Sequence, residues 1–209
     1  MKTLKEYINE SLLDDFDEIE KTVDPREQVI QFLKDNYKRA SSFKISRKPN
    51  NDGYYEVDCS KHSVVEVGNK DITSLTNNLF IFVNVKGSFY CYSCNNLTSL
   101  EGAPQKVGAH FSCSSCKNLT SIKGAPKEVG GNFNCSHCNN LTSLEGAPQK
   151  VKGTFDCVYC KNLTSLKGVP KEVGEDFNCY YCDNLTSLEG APKEIGGHFD
   201  HSNCPKLKL

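Results

Sequence analysis

FNCSHCNNLTSLEGAPQKV, residues 133–151, is one copy of a phrase that recurs with its leading phenylalanine at Phe89, Phe111, Phe133, Phe155 and Phe177, a period of 22 residues. A truncated copy starts at Phe199. A unit this short cannot bury a core by itself, so the copies must stack and share one. Phe133 and Cys135 are two apart and share one face of a short strand, whereas Cys138, Leu141 and Leu144 follow in steps of three, as in a chain turning around a compact interior. Gly146 and Pro148 mark the bend that returns the chain to Val151. Phe133, Cys135, Cys138, Leu141, Leu144, Pro148 and Val151 are therefore the predicted inward set. The predicted fold is a mainly β repeat solenoid in which like residues form ladders from copy to copy.

Charge supplies a separate indication. The residue after each LTSL or LTSI runs Glu101, Lys123, Glu145, Lys167, Glu189, and a second row runs Lys106, Glu128, Lys150, Glu172 before Glu194 breaks it. Like charges directly opposite on neighbouring strands repel, so this alternation is what a parallel, in-register stack requires. Duplication of a two-copy unit would leave the same pattern. Asn118, Asn140 and Asn162 form a further row, read either as a buried ladder that satisfies backbone groups at the turn or as surface amides.

Three regions follow. Residues 1–23 set Leu4, Ile8, Leu12, Phe16 and Ile19 at near-helical spacing among acidic residues, which predicts an acidic amphipathic helix or a targeting tail. Residues 24–63 predict an α/β cap. There Asp24-Pro25 is a helix start, Val29, Ile30, Phe32 and Leu33 are its apolar face, and Pro49 to Gly53 is the loop of a hairpin over 43–59. Residues 64–209 are the solenoid, with a degenerate unit over 64–88, regular units over 89–198 and a truncated cap over 199–209.

A formal charge of −1 and the absence of tryptophan point to neither nucleic acid nor membrane as partner. The amino end lacks the apolar run of a secretory signal, and no segment is long enough to span a bilayer, so the expected location is intracellular. In that setting the 12 cysteines are reduced thiols or metal ligands rather than disulfides. The Asn-Leu-Thr triplets at Asn96, Asn118, Asn140, Asn162 and Asn184 then belong to the repeat and are not glycosylation sites.

The paired Cys-x-x-Cys motifs have the spacing of zinc sites: Cys91, Cys94, Cys113 and Cys116; Cys135, Cys138, Cys157 and Cys160; and Cys179, Cys182, His201 and Cys204. The same period also governs Phe, Leu, Gly, Pro and Val, which a zinc knuckle does not need. The first reading is thus core thiols with no cofactor, and the alternative is a zinc-stabilised array. Function is sought where copies differ, in an outward strip beside the cysteines that includes Tyr90, Tyr92, His137, Asp156, Tyr159, Asn178, Tyr180 and Tyr181. Tyrosines suit strands, but they also supply rigid contacts at interfaces. The five histidines do not recur at one phase, and no nucleophile elbow, phosphate loop or HExxH pattern occurs. An enzyme would need its site within residues 24–64. The reading is a non-enzymatic solenoid that binds a protein partner of unknown identity.

Phe133, Cys135 and Cys138, followed by Leu141-Thr142-Ser143-Leu144, resemble a leucine-rich repeat of the cysteine-containing and bacterial types, over residues 64–209. Such proteins are common in phages and gut bacteria, and the resemblance implies a solenoid but no activity. MKTLKEYINE, residues 1–10, resembles the capsid-targeting peptide of internal head proteins of T-even-type phages, and Ile8-Asn9-Glu10 matches their trimming motif. That resemblance implies packaging inside a virion head, cleavage after Glu10, and delivery into the host cytoplasm to act on a host component.

Overall fold

The Asp24 carboxylate accepts the Arg26 N–H at 2.8 Å and Pro25 fills the first helical position, so helix α1 begins at Pro25 and ends at Asn36. This computed structural model describes residues 23–208, and the tail expected up to Thr22, with the Ile8–Glu10 motif, lies outside the described residues. Val29 and Leu33, one turn apart, are buried, and the Phe32 ring meets Phe80 at 5.8 Å. Just past the helix, buried Tyr37 lies edge-on to Phe82 and Phe89, and its hydroxyl donates to Leu75 O at 2.6 Å. The helix thereby covers one end of the aromatic interior.

Strand β1, Lys44–Ile45, pairs antiparallel with β2, Tyr55–Asp58, and Asn50 Oδ1 closes their loop by accepting the N–H groups of Asp52 and Tyr54. The hairpin is as the sequence predicts. A further pairing was not foreseen: β2 also runs parallel to β4, Phe80–Val83, so one arm of the hairpin is itself a rung of the stack.

From β3, Val64–Glu66, the chain winds as a parallel β-solenoid of about seven coils with a repeat of about 22 residues. One ladder of seven strands runs from β3 through β5, Ser88–Tyr90, and keeps Phe89, Phe111, Phe133, Phe155, Phe177 and Phe199 in register. A second ladder of five strands aligns Val107, Val129, Val151, Val173 and Ile195. The remainder of each coil carries the Cys-x-x-Cys turn and the two LTSL leucines.

The inward set is buried throughout: Phe133, Cys135, Cys138, Leu141 and Leu144 are fully enclosed, and Val151 and Pro148 are buried. The ladder stacks the Phe rings at centroid spacings of 5.8 Å for 89–111, 5.5 Å for 111–133 and 5.0 Å for 133–155. Each buried Phe or Leu contributes roughly 1.5–3 kcal/mol, which compounds along the stack where no single coil could suffice. The corner before the second ladder needs glycine. Gly146 has φ +91°, and a Cβ there would lie 2.9 Å from Lys123 Cα in the previous coil.

The alternating charges meet as ion pairs: Lys106–Glu128 at 2.7 Å, Glu101–Lys123 at 3.5 Å and Lys167–Glu189 at 3.1 Å. Where the alternation fails, Glu172 stands in register with Glu194. The buried asparagine ladder is overturned, because Asn118, Asn140 and Asn162 are exposed. Their column lies at the outer turn, where Asn184 Nδ2 donates to Asn162 Oδ1 at 3.3 Å.

Candidate functional site

Eleven of the 12 cysteines occupy two buried columns, Cys59 lies in the cap, and all 12 are free thiols. Their role follows from where the ladder stops. After Phe111 and Ser112 the chain turns, and the Ser114 N–H bonds back to Ser112 Oγ at 3.4 Å instead of continuing the ladder toward Cys91. In the next coil the Ser136 N–H likewise bonds to Asn134 Oδ1 at 2.9 Å. The carbonyls of Cys91 and Cys113 are served by thiols: Cys116 Sγ donates to Cys91 O at 3.1 Å and Cys138 Sγ to Cys113 O at 3.2 Å. Cys160, Cys182 and Cys204 donate in the same way to Cys135, Cys157 and Cys179, each at 3.3 Å. From Cys116 onward the second cysteine of each motif is thus a small apolar filler that also brings a donor to a buried carbonyl, whereas Cys94, in the first, donates to Tyr92 O at 3.7 Å.

Burial, with neighbouring thiols adding to it, pushes the Cys91, Cys157 and Cys179 thiols up, and burial raises Cys59 to about 12. Such groups are neutral and poor nucleophiles. The four-ligand sets expected for zinc do not converge: among the described residues no three His, Cys, Asp or Glu side chains are gathered to hold an ion. His201, which takes the place of a first cysteine, lies edge-on to Phe199 at 5.0 Å.

Of the two residues between the cysteines, the second forms the outward column. It takes a left-handed backbone in every coil: Ser93, Ser115, His137, Tyr159, Tyr181 and Asn203 all have φ between 56° and 60°. Its N–H points along the stack, as in His137 N–H to Val158 O at 2.9 Å and Tyr159 N–H to Tyr180 O at 3.1 Å, which fixes a straight column. Asn tolerates this conformation, whereas a bulky side chain there costs on the order of 1–2 kcal/mol. Three consecutive coils nevertheless place rings on it. His137 and Tyr159 stack at 4.7 Å and 9°, and Tyr159 and Tyr181 at 4.7 Å and 7°. Tyr180 stands nearly perpendicular to both tyrosines, 6.1 Å from Tyr159 and 5.8 Å from Tyr181.

His137, Tyr159, Tyr180 and Tyr181 are thus brought together by the structure. Asp156 and Asn178 lie on the flank, half-buried, with Asn178 Nδ2 donating to Asp156 at 2.7 Å. Burial raises the Asp156 carboxyl against that bond, and Asp176 adds to the rise. Tyr90 and Tyr92 stand apart, at the capped end, where Tyr92 OH donates to Glu66 at 2.6 Å and Lys70 Nζ sits 4.1 Å over the Tyr92 ring. Ser136 and Val158, each directly after the first cysteine of its motif, are buried beneath the column. The left-handed turn itself was missed. Its signal was the Ser and Asn at the same phase in other copies.

In the cap, His62 Nε2 is 2.9 Å from Ser42 Oγ, but Ser42 Oγ donates to Arg39 O at 2.6 Å. With the hydroxyl proton engaged there, His62 is the donor to Ser42, and its buried Nδ1 has no partner. That polarity is opposite to the one an activated serine needs. No helix among the described residues is long and apolar enough to cross a membrane. No family model, curated protein or solved structure matches the chain.

Proposed function

We propose that this chain is a non-enzymatic, protein-binding solenoid whose contact surface is the column of His137, Tyr159 and Tyr181 with Tyr180 beside it. One observation carries the reading. Three bulky rings occupy successive left-handed positions that Ser or Asn fills in the other coils. Backbone strain of this kind collects at functional sites. Mutual stacking offsets part of the cost, at ~0.5–1.5 kcal/mol per pair, but it does not account for rings having been placed on the outside at all. Tyrosine at a rigid surface is enriched among residues that dominate interfaces.

The test is capture of a partner from bacterial lysate by the full chain and by a Tyr159→Ser, Tyr180→Ser, Tyr181→Ser variant. Loss of capture with an unchanged circular dichroism spectrum supports the surface, and undiminished capture places the site elsewhere. The resemblance of residues 1–10 to a head-targeting peptide extends the proposal to packaging in a virion and action on a host component. Mass spectrometry of particles then finds a chain beginning at Ser11, and absence of the chain from particles defeats that extension.

A further inference from the structure

Among the described residues one cation is seated over a tyrosine. Lys70 Nζ lies 4.1 Å over the Tyr92 ring and 4.0 Å from the Glu66 carboxylate, an ammonium between an aromatic face and an acid. Tyr92 and Tyr180 occupy the same coil position at opposite ends of the stack. Around Tyr180 and Tyr181 the same parts recur without the cation. One face of Tyr181 is covered by Tyr159, whereas the other looks toward the next coil, where the equivalent residue is Asn203, too short to cover a ring. Tyr181 accordingly remains 39 % exposed, among the most exposed large apolar side chains of the described residues. Tyr180, at 73° to it, walls one side of that face.

Two acids flank the corner. Asp183 follows Tyr181 by two residues on one side, and Asp200 is in register with Asn178 on the side of Tyr180. Asp200 Oδ1 accepts the Ser202 N–H at 2.9 Å, a bond that holds its carboxyl below the ordinary range and keeps it ionised. Lys206 Nζ, two residues past Cys204, is engaged by Asn184 Oδ1 at 2.6 Å. No lysine or arginine lies over Tyr181 among the described residues.

We propose that the open face of Tyr181, walled by Tyr180 and flanked by Asp183 and Asp200, receives an arginine side chain from a basic segment of the partner protein. This rests on the aromatic column being the contact surface. A guanidinium fits better than an ammonium because it is planar, stacks on an aromatic face, and keeps its edge donors free for the two carboxylates. The charge is complementary, and neither carboxylate is held in an ion pair among the described residues.

The probe is a synthetic peptide of alternating Arg and Gly, compared with the same peptide carrying citrulline, which is neutral and nearly isosteric, by calorimetric titration into the full chain at low salt. The Arg peptide is expected to bind, and the citrulline peptide to bind at least about 10-fold more weakly, within the range of a partly desolvated cation–π contact plus its ion pairs. Asp183→Asn, on the exposed surface, and Tyr181→Ser should each weaken the Arg peptide several-fold, while Tyr181→Phe, which keeps the ring, should not. Equal binding of the two peptides, no binding of either, or indifference to Asp183→Asn overturns the proposal. If the Arg peptide fails while the triple tyrosine variant still loses its lysate partner, the contact surface stands and only the arginine assignment falls.

Discussion

Cys179 and Cys182 sit in one coil, both fully enclosed, and differ in one respect. Cys182 Sγ donates to Cys157 O at 3.3 Å, whereas Cys179 Sγ has no acceptor among the described residues. Truncating either to alanine removes one buried heavy atom, at a cost of about 1 kcal/mol for the lost contacts and the residual cavity. Cys182→Ala also strips the donor from a buried carbonyl. That adds ~1 kcal/mol, the low end for an unsatisfied acceptor because S–H is a weak donor. The expected destabilisation is thus about 1 kcal/mol for Cys179→Ala and about 2 kcal/mol for Cys182→Ala. At a urea slope near 2 kcal/mol/M the two midpoints separate by roughly 0.5 M. The assay is equilibrium urea unfolding in reducing buffer, followed by circular dichroism. Equal midpoint shifts, or a larger shift for Cys179→Ala, would refute the claim that the second column is retained for its donors.

Phe155→Ala, in mid-stack with neighbours at 5.0 Å and 5.4 Å, should cost about 3–5 kcal/mol, and Phe199→Ala, half-buried with a phenylalanine on one side only, clearly less; comparable unfolding midpoints would deny the ring column its role. Glu194→Lys should replace the like-charge pair with Glu172 by an attractive one, raising the melting temperature at low salt with a gain that shrinks as salt is added. Because burial raises the folded-state Asp156 carboxyl above its unfolded value, the folded state holds the proton longer, and stability falls as pH rises through that window. Asp156→Asn should therefore stabilise the chain at neutral pH and flatten that slope in urea titrations run from acid to neutral.

The stack was legible because inward positions tolerate little besides a fixed residue. Phe133, Leu141, Leu144 and Val151 repeat at one phase since each must land on its own copy, and the alternating Glu and Lys carry the same requirement onto the surface. Less of the site could be read. Tyr159 and Tyr181 give no sign of a left-handed backbone, for a tyrosine does not favour it, and the conformation is imposed by the turn between two buried cysteines. The thiol donors were hidden for a related reason: the carbonyls they serve lose the ladder only because Ser112 and Asn134 draw the following N–H groups back. The parallel pairing of β2 with β4 was masked by a strong hairpin signal that used only one of the two edges of β2.

The alternating ion pairs also set how such a molecule can grow or shrink. Inserting one coil places Glu beside Glu or Lys beside Lys at a new junction, whereas inserting two restores every opposite-charge neighbour. Gene-level expansion is therefore favoured in steps of two repeats, each step adding roughly 10 Å of length. A ring column on the turn lengthens by the same increments, so its extent is quantised by the charge code on an unrelated side of the coil.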